Sequence, residues 1–372
     1  MNLNIAVLPG DGIGPEVIDQ AIKVLKAIAS EFDHDFNFTY APVGAIAIDE
    51  HGDPLPENTL TLCKNTDAIL FGAIGDPKYD NDPSAKVRPE QGLLRLRKEL
   101  GLYANIRPVK AYETLLNKSP LKQNIIKDTD ISIYRELTGG IYFGKKHLSE
   151  DQNTASDLCE YSRHEIERIA HLAFKAALSR KKKVTLVDKA NVLESSRLWR
   201  RVVREVAKNY PDVDLEFLFI DNAAMQMILN PKQFDVILTE NMFGDIISDE
   251  ASVIGGSIGL LASASIGDKH AMFEPIHGSF PQAKGKNIAN PIASILSAAM
   301  LLDHFDLREE AEMIRTAVDK SLKLYITTPD LNTKYDNIKT SNVGDFIEDY
   351  INHPNDSNLN FKNIHLGQST II

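Results

Sequence analysis

The chain has 372 residues, 43% of them hydrophobic and 25% charged, and carries a formal net charge of −11 at pH 7. That length exceeds a single hydrophobic core, so two domains are expected, and an acidic chain with no basic stripe argues against a nucleic-acid binder. Two cysteines, Cys63 and Cys159, give no disulfide framework, and no stretch reads as a signal peptide or a membrane span, so the expectation is a soluble cytoplasmic protein.

From the amino terminus, a strand at residues 4–8 runs into LPGDGIGPEV, residues 8–17, with glycines at 10, 12 and 14. The dinucleotide fingerprint G-x-G-x-x-G would put its third glycine at 15, where Pro15 stands instead. Proline suits the first turn of a helix, and no Gly-Lys-Ser/Thr follows, so the stretch reads as strand, glycine turn and helix rather than a nucleotide loop. The helix at 16–29 carries Ile18, Ile22, Leu25 and Ala29 on one stripe. Further strands are expected at 68–72, 131–135, 184–187, 215–220 and 235–238, and further helices at 163–178, 195–208 and 291–304. Apolar strands alternating with helices predict an α/β fold with a largely parallel sheet covered on both faces. Residues 136–162 break that rhythm and read as a β arm, and the polar tail 353–372 as an extended surface segment.

In open α/β sheets ligands bind beyond the carboxyl ends of the strands. Those positions hold Asp188 and Lys189, then Asp221, then a helix with Asp245 and Asp249 four residues apart on one face. Each alone reads equally as a solvated charge or a helix cap; together, three carboxylates can supply oxygen ligands to Mg²⁺ or Mn²⁺. Arg97, Arg107 and Arg135 suit a small polyanionic substrate, because guanidinium forks match carboxylates, and Tyr142 follows Arg135 closely enough to share its crevice. The loop FEPIHGSFPQAKGKNIANP, residues 273–291, suits backbone contact with a flat ligand and its phosphates.

Eight collinear blocks, from LPGDGIGPEV through GAIGDPKYD, GLLRLRKELGLYANIRP, RELTGGIYFG, DKANVLESSRLWR and NMFGDIISDEAS to EPIHGS and NIANP, make the chain resemble the isopropylmalate/isocitrate family of β-decarboxylating dehydrogenases. The resemblance implies a two-domain α/β fold, with a parallel or mixed sheet flanked by helices, that is not a Rossmann fold. Its first, cofactor-side domain would be residues 1–102 and 256–372. The second, residues 103–255, would carry the β arm and the dimer interface of a homodimer with shared active sites. By the family pattern Arg97, Arg107 and Arg135 grip the substrate, and Asp245 and Asp249 hold Mg²⁺ or Mn²⁺ together with the partner's Asp221. Lys189, also from the partner, takes the hydroxyl proton and Tyr142 returns one later. NAD would contact Asp76, Pro77, Glu274, His277 and Gly278, and then Ser279, Gln282, Gly285, Asn287 and Asn290. Glu90, Leu93 and Leu94 match the isopropylmalate branch, where leucines bury an isopropyl group for about 1.5–3 kcal/mol. Arg95 in the same helix would suit homoisocitrate, so homoisocitrate and isocitrate stand as alternative substrates. At Gln282 the family's NAD-preferring members have an aspartate and its NADP-preferring members a lysine; NAD remains the expectation. From another class, a non-catalytic two-lobed dicarboxylate-binding protein would use the same arginines without Lys189, Tyr142 or a metal.

Overall fold

The computed structural model describes residues 1–81, 85–331, 335 and 337–354; most of the polar tail, from 355 on, lies outside them. The chain divides into two compact units. The first comprises Met1–Leu96, Ser257–Ala264 and His270–Ile372, the second Arg97–Gly256 and Ser265–Lys269.

In the first unit the strands lie in the order Asp35–Tyr40, Asn2–Gly10, Ala68–Ala73, Ala271–Pro275 and Ala262–Ile266, the last running on into residues grouped with the second unit. The first four pair in parallel. Ala68–Ala73 is buried at every residue, as a central parallel strand covered on both faces must be. Helix Gly14–Glu31 starts with Pro15 in its first turn and buries Val17, Ile18, Ala21, Ile22, Leu25 and Ile28. Helix Ile292–His304 is buried almost all round, which matches its uniformly apolar sequence.

In the second unit the order is Ala104–Lys110, Asp130–Glu136, Val236–Thr239, Lys183–Asp188 and Asp214–Phe219. All pairs are parallel except the first, which is antiparallel. Helix Arg163–Leu178 opens with a capping box in which Ser162 and Glu165 satisfy each other's backbone N–H groups. Helix Glu194–Ala207 turns Trp199, Val202, Val203 and Val206 inward, and Tyr161 meets Trp199 edge-on with ring centres 5.5 Å apart. The arm contains a one-turn helix, Gly140–Tyr142, and an exposed antiparallel pair, Lys146–Leu148 with Ala155–Asp157.

Two residues expected in strands lie just outside them, while the expected strands otherwise extend by a residue or two. Ile220 starts helix Ile220–Leu229 rather than ending the strand before it. Asp235 precedes its strand, and its carboxylate accepts from Arg180 Nε at 2.8 Å and Lys183 N at 3.3 Å.

Candidate functional site

A cluster of opposite charges occupies the second unit. Helix Asn241–Gly255 is capped by Glu240, which accepts the Phe243 N–H at 3.0 Å. The helix comes close enough to the neighbouring strand that a Cβ on Gly244 would lie 2.6 Å from Arg135 Cγ, so only glycine fits there. Asp245 Oδ1 receives Arg135 Nη1, and Asp245 Oδ2 accepts the Tyr142 hydroxyl at 2.8 Å. Arg107 approaches from Ala104–Lys110, its Nη1 3.4 Å from Asp249 Oδ1 and its Nη2 3.7 Å from Asp245 Oδ1. Both arginines are buried and held from behind. Arg135 Nε donates to Asn241 Oδ1 at 3.0 Å, while Arg107 donates to Asn105 Oδ1 at 2.8 Å and Ser248 Oγ at 2.5 Å.

The electrostatics follow from crowding. Burial first, and Arg107 second, pull the Arg135 guanidinium down to about 10, with Arg97 pushing the same way. Burial raises the Asp249 carboxyl; Arg107 opposes that rise and the like charge of Asp245 adds to it. Tyr142 is raised by burial and then by its bond to Asp245, so its phenol stays protonated at neutral pH. Arg107 and Arg97 both act on Arg135 as like charges, and an anionic ligand placed among the three would relieve that repulsion.

Lys189 and Asp221 form a second group, joined at 2.7 Å. The lysine holds the Asp221 carboxyl below its ordinary range. Lys189 follows Asp188, whose buried carboxylate takes Arg200 Nε at 2.6 Å and Nη2 at 3.1 Å and the Ala190 N–H at 2.9 Å, which fixes the start of that loop. Within one chain Asp221 does not join Asp245 and Asp249, and among the described residues no three His, Cys, Asp or Glu side chains gather as a metal group. Strand order explains this. Lys183–Asp188 lies between the strand that feeds Asp245 and the edge strand that feeds Asp221, and two strand spacings are about 10 Å.

The first unit holds the remaining residues. On helix Pro89–Glu99, Pro89, Gly92 and Leu96 face inward, leaving Glu90 and Leu94 exposed and Leu93 half-buried. Arg95 is committed to Asp53 at 3.0 Å and to the Leu55 carbonyl. Asp76 caps the short helix Pro77–Asp80 by accepting from Lys78 N at 3.0 Å.

The loop of residues 276–291 is anchored from outside. Gly12, at φ 57°, packs so tightly that a Cβ would lie 1.9 Å from the Ser279 carbonyl, and Ile13 N–H donates to that carbonyl at 2.8 Å. Glu16 accepts the backbone N–H of Gly285 and, at 2.9 Å, that of Asn287. The Asn287 amide exchanges bonds with Ser341 at 3.0 and 2.9 Å. Asn290 donates to Asp330 at 3.0 Å and accepts the N–H of Ile292, the first residue of the next helix, at 3.0 Å. Both asparagine side chains therefore serve the fold, while Gln282 is exposed.

Residues 4–347 match the family described as isocitrate/isopropylmalate dehydrogenase. The chain belongs to this family. It is 55% identical to the 3-isopropylmalate dehydrogenase of Bacteroides fragilis strain YCH46 over 94% of the chain and 99% of that relative. It is 56% identical to that of Bacillus subtilis strain 168, over 89% of the chain and 92% of the relative. Among solved structures it resembles the isocitrate dehydrogenase of Methylococcus capsulatus, with TM-score 0.84 and 34% identity over 95% of the chain and 100% of the other. It also resembles a β-decarboxylating dehydrogenase of Thermococcus kodakarensis, with TM-score 0.78 and 40% identity over 94% of the chain and 96% of the other.

Isocitrate/isopropylmalate dehydrogenases imply a divalent metal and NAD, and the residues present fit both. Asp245 and Asp249 are oxygen donors one helical turn apart; burial raises Asp249 and the like charge of Asp245 adds to that rise, a repulsion that a hard cation between them would relieve. In the loop, His277 Nε2 is buried with no hydrogen-bond partner among the described residues, and burial lowers that imidazole's pKa, keeping it neutral. Gly278 and Gly285 have open space where a side chain would be, so a ligand can approach the backbone closely. Asn241 and Ser248 are supporting residues that the sequence reading passed over. Their signal was available, because 241, 245, 248 and 249 repeat at helical spacing as a polar stripe.

Proposed function

We propose that this chain oxidatively decarboxylates 3-isopropylmalate to 4-methyl-2-oxopentanoate with reduction of NAD, in leucine biosynthesis. The observation that carries this reading is the buried pair Arg107 and Arg135 around Asp245, with the Tyr142 hydroxyl on the same carboxylate. Arg97, Arg107 and Arg135 bind the substrate carboxylates, exchanging their present partners for the ligand's oxygens. Asp245 and Asp249 hold Mg²⁺ or Mn²⁺, joined by the partner subunit's Asp221. Bound there, a divalent cation would supply Lewis-acid polarisation of the substrate's hydroxyl oxygen, and NAD would supply the hydride acceptor. Lys189, acting as the neutral amine, takes the hydroxyl proton, and Tyr142, held protonated, returns a proton to the carbon that loses CO₂. Glu90, Leu93 and Leu94 select the substrate: the leucines offer an apolar wall to an isopropyl group, whereas an extra carboxylate there would lose its water without gaining a partner. The pairing of Arg95 with Asp53 supports isopropylmalate over homoisocitrate.

A homodimer with shared sites is part of this proposal. Asp221 is separate from Asp245 and Asp249 in one chain, and helices Ile220–Leu229 and Asn241–Gly255 leave Met225, Ile228, Leu229, Ile246 and Val253 exposed, as an unpaired interface would. Asp76, Pro77, Glu274, His277, Gly278 and Ser279, with Gln282, Gly285, Asn287 and Asn290, form the NAD side, the two asparagines by shaping the loop.

The test is NADH production from 3-isopropylmalate with Mn²⁺ and after EDTA, run beside isocitrate, homoisocitrate, D-malate and NADP. Turnover that requires metal and favours isopropylmalate with NAD is expected. Metal-independent binding without NADH would instead establish a dicarboxylate-binding protein, and faster turnover of isocitrate would overturn the role of Leu93 and Leu94.

A further inference from the structure

Phe280 takes no part in the chemistry above, yet its position is unfavourable twice over. Its backbone is left-handed, at φ 38° and ψ 63°, a conformation that residues bearing a Cβ keep only where the surroundings enforce it. Pro281 follows, and proline restricts the residue before it towards extended backbone. The side chain gains no burial in return: Phe280 is 54% exposed, against the usual placement of phenylalanine. No other Phe, Tyr or Trp occurs between residues 276 and 291.

The neighbouring backbone holds this geometry from both sides. The Ser279 carbonyl is fixed by the Ile13 N–H and by the close approach of Gly12. The Phe280 carbonyl accepts the Ala283 N–H at 3.0 Å, which closes the single turn Pro281–Ala283. Relaxing Phe280 would break these bonds. A strained residue locked by its surroundings is a pattern that clusters at ligand clamps. A single exposed aromatic is ordinary on a protein surface; one forced into the left-handed region to stay exposed, beside His277 and Gly278, is not.

We propose that Phe280 is the platform on which the adenine ring of NAD stacks, and so determines affinity for the nucleobase end of the cofactor. This rests on the NAD reading above. A flat hydrocarbon face suits a flat heteroaromatic ring, and stacking supplies affinity at the adenosine end, where Gln282 brings no carboxylate.

The experiment is equilibrium binding by calorimetry of NADH, AMP and nicotinamide mononucleotide to the unaltered protein and to Phe280→Ala, Phe280→Gly and Phe280→Tyr. NADH and AMP should bind about tenfold more weakly to the alanine and glycine variants alike, and normally to the tyrosine variant. Nicotinamide mononucleotide, which lacks adenine, should bind all four proteins equally. Glycine relaxes the left-handed backbone, so a loss shared by Phe280→Ala and Phe280→Gly belongs to the ring and not to the strain. Unchanged NADH affinity in Phe280→Ala overturns the platform. So does an equal loss of nicotinamide mononucleotide, which would mean that the loop had collapsed. Failure of the unaltered protein to bind NADH or AMP would sink the NAD reading itself, a result distinct from the other two.

Discussion

The charged cluster of the second unit and the loop at 276–291 of the first are built in opposite ways. In the cluster the side chains do the work. Arg135 is engaged by Asp245 and Asn241, Arg107 by Asn105, Ser248 and Asp249, and Tyr142 by Asp245. In the loop the backbone is pinned by Gly12, Ile13 and Glu16, while His277 Nε2 has no partner among the described residues and Phe280 faces solvent. The cluster stores its charges as internal pairs that a ligand must exchange; the loop is a rigid outline that a ligand fills. Loss of a side chain should therefore harm substrate handling in the first case, and loss of backbone shape should harm cofactor affinity in the second.

The largest expected break is Arg135→Gln. It removes a guanidinium that grips the substrate carboxylate, which should cost about 4 kcal/mol of transition-state binding, or three powers of ten in kcat/KM for isopropylmalate. Calorimetric binding of NADH should stay within about threefold, and an equal loss there would erase the contrast. Asp11→Ala probes the framework beside the loop. Its carboxylate, raised by burial, accepts the N–H groups of Ala45, Ile46 and Gly75 at 2.9–3.0 Å. Removing it should lower the unfolding free energy by about 3 kcal/mol, read by urea denaturation. Gly12→Ala forces the Ser279 carbonyl to move and should weaken NADH binding about tenfold while leaving the isopropylmalate preference intact; unchanged NADH affinity would mean the loop is not held from that side. The smallest effect belongs to Leu94→Ala, which should reduce the preference for isopropylmalate over D-malate by about fivefold, near 1 kcal/mol.

Much of this architecture was readable from residue order. Pro15 at the position of a fingerprint glycine gave strand, turn and helix without a Rossmann loop, and Asp245 with Asp249 at four-residue spacing gave one helix face. The paired glycines of residues 136–162 marked an arm, and its hairpin is there. Other features were hidden for physical reasons. Strand Asp35–Tyr40 lies at a sheet edge with polar residues along it, and Ala262–Ile266 is made largely of small residues, so neither shows a β-branched apolar run. The separation of Asp221 from Asp245 depends on which strand is inserted between theirs, a choice that local sequence does not encode. Likewise nothing in NIANP tells whether its asparagines face a ligand or a neighbouring loop; Ser341 and Asp330, 54 and 40 residues away, decide that.

The ion pair between Lys189 and Asp221 has a genetic corollary. Because the two residues clasp each other on one chain, a subunit of the proposed shared-site dimer would lend them as a set, and the proposed active-site positions would sort into two complementation groups. Co-expressed Lys189→Met and Asp245→Asn alleles should rebuild one intact centre per mixed dimer and regain activity. Lys189→Met with Asp221→Asn should rebuild none.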